Sequence, residues 1–147
     1  MTGRPPPPDV AAAFAAVPDD VCLRLLEIRG LIFATAAGLE GVGLLTETLE
    51  WGEPAYRTEA TGTGSTIRLG WNRSADHDCA VLFNCRTTLI ESFRDRFSEL
   101  LAYQGNRAIL LRASETLPVA QLSVCLAMAL TYHRRAGGGA ATLRSRR

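Results

Sequence analysis

The chain has no lysine. All sixteen of its cationic side chains are arginine, against fifteen carboxylates, for a formal net charge of +1. A protein without lysine forms no Schiff base, anchors no pyridoxal phosphate and lacks the lysine of a P-loop. Any carboxylate or phosphate it recognises must be held by arginine forks or backbone N–H groups. The near-zero charge argues against dedicated nucleic-acid binding, which goes with a strong basic excess. Histidine is almost absent too, with only His77 and His133, and no nucleophile signature accompanies either. Catalysis has no support in the sequence. The four cysteines, Cys22, Cys79, Cys85 and Cys125, show no CxxC spacing. They read as isolated buried thiols of a reducing compartment. No apolar run is long enough to span a bilayer, and the Met1–Pro8 segment lacks the apolar core of a signal peptide. A cytoplasmic protein without membrane association is expected.

What remains is the composition of an ordinary globular protein, 47% hydrophobic and 21% charged over 147 residues, enough for one domain with a sizeable core. Residues 1–8 are a proline-rich lead and residues 136–147 a Gly/Ala/Arg tail with no means of packing, leaving residues 9–135 as the domain. Asp9 is placed to cap a short helix through Val17. Asp19 is placed to cap a longer one, with Val21, Leu25, Ile28 and Ile32 at helical spacing and Arg24, Glu27 and Arg29 on a solvated face.

The stretch from Leu44 to Tyr56 separates this helical third from a strand-rich middle. Gly52 permits a turn and Pro54 keeps Glu53 out of the helical region, which predicts a short helical segment ending near Trp51 and a strand from Ala55. Further strands are expected over 66–71, 79–85, 100–103 and 107–112, the last two joined by the Gln104-Gly105-Asn106 turn. A capping box, Thr88 to Glu91, opens a helix burying Phe93 and Phe97. The last element, from about Thr116 to Arg135, is apolar nearly all round and reads as a buried helix. The sum is α+β: an antiparallel sheet of four or five strands against N-terminal helices and a long closing helix.

Three groups of residues invite a chemical reading. Trp51 and Tyr56 plug the end of a core or form pocket walls, with Glu47 as the polar handle. Arg68, with Asn106 and Arg107 beside the turn, can hold an anion, or can pair with Glu47 or Glu59 across the sheet. Glu40, Glu47, Glu50, Glu53 and Glu59 form either a solvated acidic face or a weak oxygen-ligand set for iron or magnesium, for which Glu47, Glu50 and Glu53 are the best placed. In Asp76-His77-Asp78-Cys79, neighbours on an extended chain point to opposite sides, so at most two could ligate one ion. The tail arginines Arg134, Arg135, Arg144, Arg146 and Arg147 lack interleaved aromatics, and any contact with nucleic acid would be weak.

Glu47, the run Trp51-Gly52-Glu53-Pro54-Ala55-Tyr56, the turn Gly105-Asn106-Arg107-Ala108-Ile109 and the later Ala129-Leu130-Thr131-Tyr132-His133 together resemble the YdhG-like family of small bacterial proteins, a domain of unknown function. The resemblance spans about Val10 to Arg135. It implies an antiparallel sheet backed by helices in a cytoplasmic protein without an established reaction. Some relatives are described as frataxin-like iron chaperones. Frataxin-type iron binding relies on an acidic ridge along the first helix, whereas here acid occurs only at Asp9, Asp19 and Asp20. The expected function is a non-enzymatic module binding a small ligand or a protein partner through Glu47, Trp51, Tyr56, Arg68, Asn106 and Arg107. The alternative is an iron-binding chaperone, the only reading in which a metal enters. An exposed edge strand would favour a homodimer.

Overall fold

The computed structural model describes residues 4–72 and 76–137. Helices α1 (Pro8–Ala15) and α2 (Asp19–Ala37) precede strands β1 (Thr46–Glu50), β2 (Glu53–Arg57), β3 (Ile67–Trp71) and β4 (Cys79–Phe83). Helix α3 (Leu89–Phe97), strands β5 (Ala102–Gln104) and β6 (Ala108–Leu111), and helices α4 (Val119–Leu130) and α5 (Tyr132–Gly137) complete the chain. The fold is α+β, with one antiparallel sheet in the order β1-β2-β3-β4-β6-β5. It has six strands rather than four or five, because residues 46–50 are a strand and not a helical segment.

The reason lies in the turn. Trp51 and Gly52 both have positive φ, 56° and 79°, the backbone of a two-residue type I′ hairpin whose twist matches that of its strands. The hairpin sets Glu47 opposite Tyr56 and Glu50 opposite Glu53. Thr46 and Thr48 suit a pleated strand better than a helix.

Side chains alternate across the sheet, so paired residues share a face. One face carries the row Glu47, Tyr56, Ile67 and Phe83 and the row Leu69, Val81 and Ile109. The helices pack on this side. Val21, Leu25, Ile28 and Ile32 of α2 are all buried, Phe93 of α3 meets Phe83 edge-to-face at 5.1 Å, and Leu122, Leu126 and Leu130 of α4 complete the core. The Tyr103 hydroxyl donates to the Phe93 carbonyl at 3.0 Å, tying β5 to α3. The opposite face carries Glu50, Glu53, Arg57, Arg68, Leu82 and Leu110, half-buried, above Ala55, Ala80 and Ala108.

Several local expectations are corrected by the structure. Asp9 and Asp19 do not cap their helices: the N-cap residues are Pro7 and Pro18, whose extended backbones lead into the first turn. Thr88 occupies the N-cap of α3 without a side-chain cap bond, so no capping box with Glu91 is formed. The closing helix breaks at Thr131, where the β2–β3 loop takes over its last carbonyls: Ser65 N–H donates to Ala129 O at 2.9 Å and the Thr63 hydroxyl to Leu130 O at 3.0 Å. Arg4, in the proline-rich lead, stacks on the Phe33 ring at 5.0 Å. Residues 136 and 137, expected in the tail, end α5, and the tail from residue 138 lies outside the described residues.

Of the four thiols, Cys79 and Cys125 are buried and Cys22 partly so, but Cys85 is exposed in the turn after β4. Burial pushes the Cys79 and Cys125 thiols up to about 12. They are inert packing residues rather than nucleophiles.

Candidate functional site

Six residues of the sequence reading divide between the two faces of the sheet. Glu47 and Tyr56 face the helices. Arg29, assigned by pattern to a solvated face, is 2% exposed and turns inward to meet them. Its Nε donates to Glu47 Oε2 at 2.6 Å and its Nη2 to Oε1 at 2.8 Å, while the Tyr56 hydroxyl donates to Oε2 at 2.8 Å. Phe33 closes the cluster, edge-on to Tyr56 at 5.7 Å and beneath the Arg29 guanidinium at 4.9 Å. The hydrogen bond with Glu47 holds Arg29 above its ordinary pKa against the opposing effect of burial. Burial, followed by the Glu47 carboxylate, drives the Tyr56 phenol well above its usual range. Each charge in the cluster is met, and the cluster is shut off from solvent. It welds α2 to β1 and offers no opening to a ligand.

The signal for Arg29 was in the sequence. It lies four residues after Leu25 and three before Ile32, hence on the buried arc of α2. A long guanidinium inside an apolar arc requires an anion, and Glu47 is the carboxylate that supplies it.

The open face is organised differently. Trp51, expected to plug the core or wall a pocket, is 91% exposed at the hairpin tip. It lines a hollow of about 330 Å³ whose wall includes Glu50, Arg57, Arg68, Asn84, Cys85 and Arg107. Arg68 Nη1 is paired with Glu53 at 2.8 Å, not with Glu47 or Glu59. Arg57 is held by Glu50 at 3.1 Å and Glu59 at 3.6 Å. Arg107 makes no hydrogen bond or ion pair through its side chain among the described residues, and it is exposed. Burial raises the pKa of Glu53, partly opposed by the charges of Arg68 and Arg107. The Glu53 carboxylate lies against Gly70 and accepts from Arg68 Nη1. Asn106 sits exposed in the β5–β6 turn and does not line the hollow.

The carboxylates considered as metal ligands do not converge. Glu47 is committed to Arg29 inside, while Glu50 and Glu53 are each paired with an arginine on the other face. Among the described residues, no three His, Cys, Asp or Glu side chains are grouped to hold a metal ion. In the Asp76–Cys79 stretch, Asp76 is paired with Arg112 at 2.6 Å and Asp78 accepts the Ala113 N–H at 2.8 Å.

Another hollow, of about 320 Å³, opens at the β5–β6 edge beside His77, Leu100 and Arg112. Its arginine is spent, since Arg112 is bound by both Asp76 and Glu115. Of these two, the hollow around Arg68 has the guanidinium without an ion pair and the exposed aromatic ring. No described helix of the chain is long and apolar enough to cross a membrane. Compared with known proteins, the chain matches no family model, no curated protein and no solved structure.

Proposed function

We propose that this chain is a non-enzymatic, cytoplasmic YdhG-like module that binds a small anionic ligand on the open face of its sheet. One observation carries the reading: Arg107, without an ion pair, and Arg68, with only one of its nitrogens engaged, line the same hollow as Trp51. Two surface arginines beside one hollow, with N–H donors left over from their ion pairs, can hold a carboxylate or phosphate. Glu53 is the internal occupant that an incoming carboxylate or phosphate displaces from Arg68. Tyr56 and Glu47 serve the reading indirectly, by fixing the β1–β2 hairpin that carries Trp51 and Glu53. The α+β architecture and the Gly105-Asn106-Arg107 turn between β5 and β6 agree with the YdhG-like resemblance.

Sulfate, which stays a dianion across the range, is a suitable probe. Wild type binds it in a titration calorimeter, and Arg107→Ala and Arg68→Ala each weaken binding by about tenfold or more, the scale of a lost charge-assisted hydrogen bond. Glu53→Gln moves the other way and tightens binding, because it removes the competing anion. For the same reason wild-type affinity rises as pH falls into the raised range of Glu53. Sulfate binding indifferent to all three substitutions would sink the proposal.

A further inference from the structure

Among the described residues, Trp51 is the one non-glycine with positive φ. The first position of a type I′ turn favours asparagine, aspartate or glycine, because φ is positive there. A bulky aromatic at φ 56° is an outlier. The ring gains nothing from the chain in return. It is 91% exposed, and among the described residues it makes no hydrogen bond, ring pair or cation–π contact. Backbone strain of this kind marks functional positions when the surroundings hold it in place, and here the β1–β2 ladder does.

The place of that ring supplies the second half of the argument. Trp51 borders the same hollow as Arg68 and Arg107. A flat apolar face and guanidinium donors around one cavity fit a molecule that carries a ring and an acid together. A cavity of about 330 Å³ falls at the small end of ligand pockets, which run from roughly 300 to 1,000 Å³, and so suits a single ring system with a compact acidic head. A polyanion fits poorly, since the face sets Glu50, Glu53 and Glu59 against Arg57, Arg68 and Arg107.

We infer that the ligand is a small planar aromatic anion, its ring stacked on Trp51 and its carboxylate or phosphate held by Arg68 and Arg107. The inference rests on the anion reading given above and adds the ring. Aromatic carboxylic acids and nucleoside monophosphates share this chemistry, and the probes separate them.

The experiment compares phthalate with succinate, and adenosine monophosphate with inorganic phosphate, on wild type, Trp51→Asn and Trp51→Phe. At least one aromatic anion binds wild type about tenfold or more tightly than its ringless counterpart, and which one identifies the source. Trp51→Asn removes that advantage, weakening the ringed anion about tenfold or more relative to its ringless counterpart, and melts no lower than wild type, because asparagine suits the turn. Trp51→Phe retains part of the advantage. Equal affinity for ringed and ringless anions, or an advantage that survives Trp51→Asn, overturns the inference while leaving the anion site intact. Absence of binding by every anion overturns the inference and the anion site together. Binding of oligonucleotides in preference to mononucleotides would replace the small ligand with a strand.

Discussion

Replacing Arg29 with methionine lowers the stability of the fold by about 3–5 kcal/mol, the range seen when one partner of a buried ion pair is removed. Methionine fills much of the same volume, so the loss is electrostatic. Glu47 is left inside β1 with the Tyr56 hydroxyl as its one remaining side-chain donor, down from three hydrogen bonds. Glu47→Leu errs in the opposite sense and strands a guanidinium that is 2% exposed. The double replacement, Arg29→Met with Glu47→Leu, recovers most of the loss, because swapping both charges for apolar groups of similar size costs little or is stabilising. Tyr56→Phe, which keeps the pair and drops one hydrogen bond to a charged acceptor, costs about 1.5–3 kcal/mol. Urea denaturation of the four variants gives the coupling energy directly. If the single and double replacements proved additive, Arg29 and Glu47 would not be acting on each other.

Gly64→Ala is expected to be comparably severe, about 3 kcal/mol, at the upper end of overpacking costs. A Cβ at this position would stand 2.6 Å from the Leu130 carbonyl oxygen and 2.7 Å from the Leu130 carbonyl carbon and Cα. These are backbone atoms at the end of α4, which cannot rotate away as a side chain would. The clash also pulls apart the bonds that join the loop to the helix, namely Ser65 N–H to Ala129 O, the Thr63 hydroxyl to Leu130 O, and His133 N–H to Thr63 O at 2.9 Å. The neighbouring Gly62 is the control. Its φ is 69° with nothing within 4 Å of a built Cβ, so Gly62→Ala meets only the left-handed backbone cost of about 1–2 kcal/mol. Thermal melts that ranked Gly62→Ala as the worse of the two would mean that the loop does not seat against α4 in this way.

These two sites also mark the limits of what the chain discloses before folding. Hydrophobic periodicity is read accurately, whereas the caps at Asp9, Asp19 and Thr88 and the solvated place given to Arg29 are not. The stripe Val21, Leu25, Ile28 and Ile32 is the buried face of α2, the alternation of Ile67, Leu69 and Trp71 is β3, and the turn expected at Gln104-Gly105-Asn106 falls one residue later, with Gly105-Asn106-Arg107 joining β5 to β6. Where the role depends on a partner outside the segment itself, near or far, it is lost. The run Thr46-Glu47-Thr48-Leu49-Glu50 is ambiguous between helix and strand in isolation, and pairing with β2 decides it. The break of the closing helix at Thr131 is set by a loop some 65 residues upstream, and Gly64 reads only as one more small residue in a polar turn.

The candidate site shows the same division. Trp51, Arg68 and Arg107 were singled out by type and position, and they do line one hollow. Glu47 and Tyr56 belonged to the same sequence stretch but not to the same face. They are separated from Trp51 by the alternation of the strand and the tip of the hairpin, once residues 46–50 are paired rather than helical. Arg57, Asn84 and Cys85 entered the hollow with no local pattern to announce them.

On the reading proposed here, the helix-free face of the sheet, around Arg68, is where this protein meets its ligand. Backbone amide chemical-shift mapping during a titration with phthalate or adenosine monophosphate tests it most directly. Saturable shifts concentrated at Trp51, Glu53, Arg68, Asn84, Cys85 and Arg107 are the expected result. Shifts gathered instead at His77, Leu100 and Arg112, around the hollow at the far edge of the sheet, would contradict it.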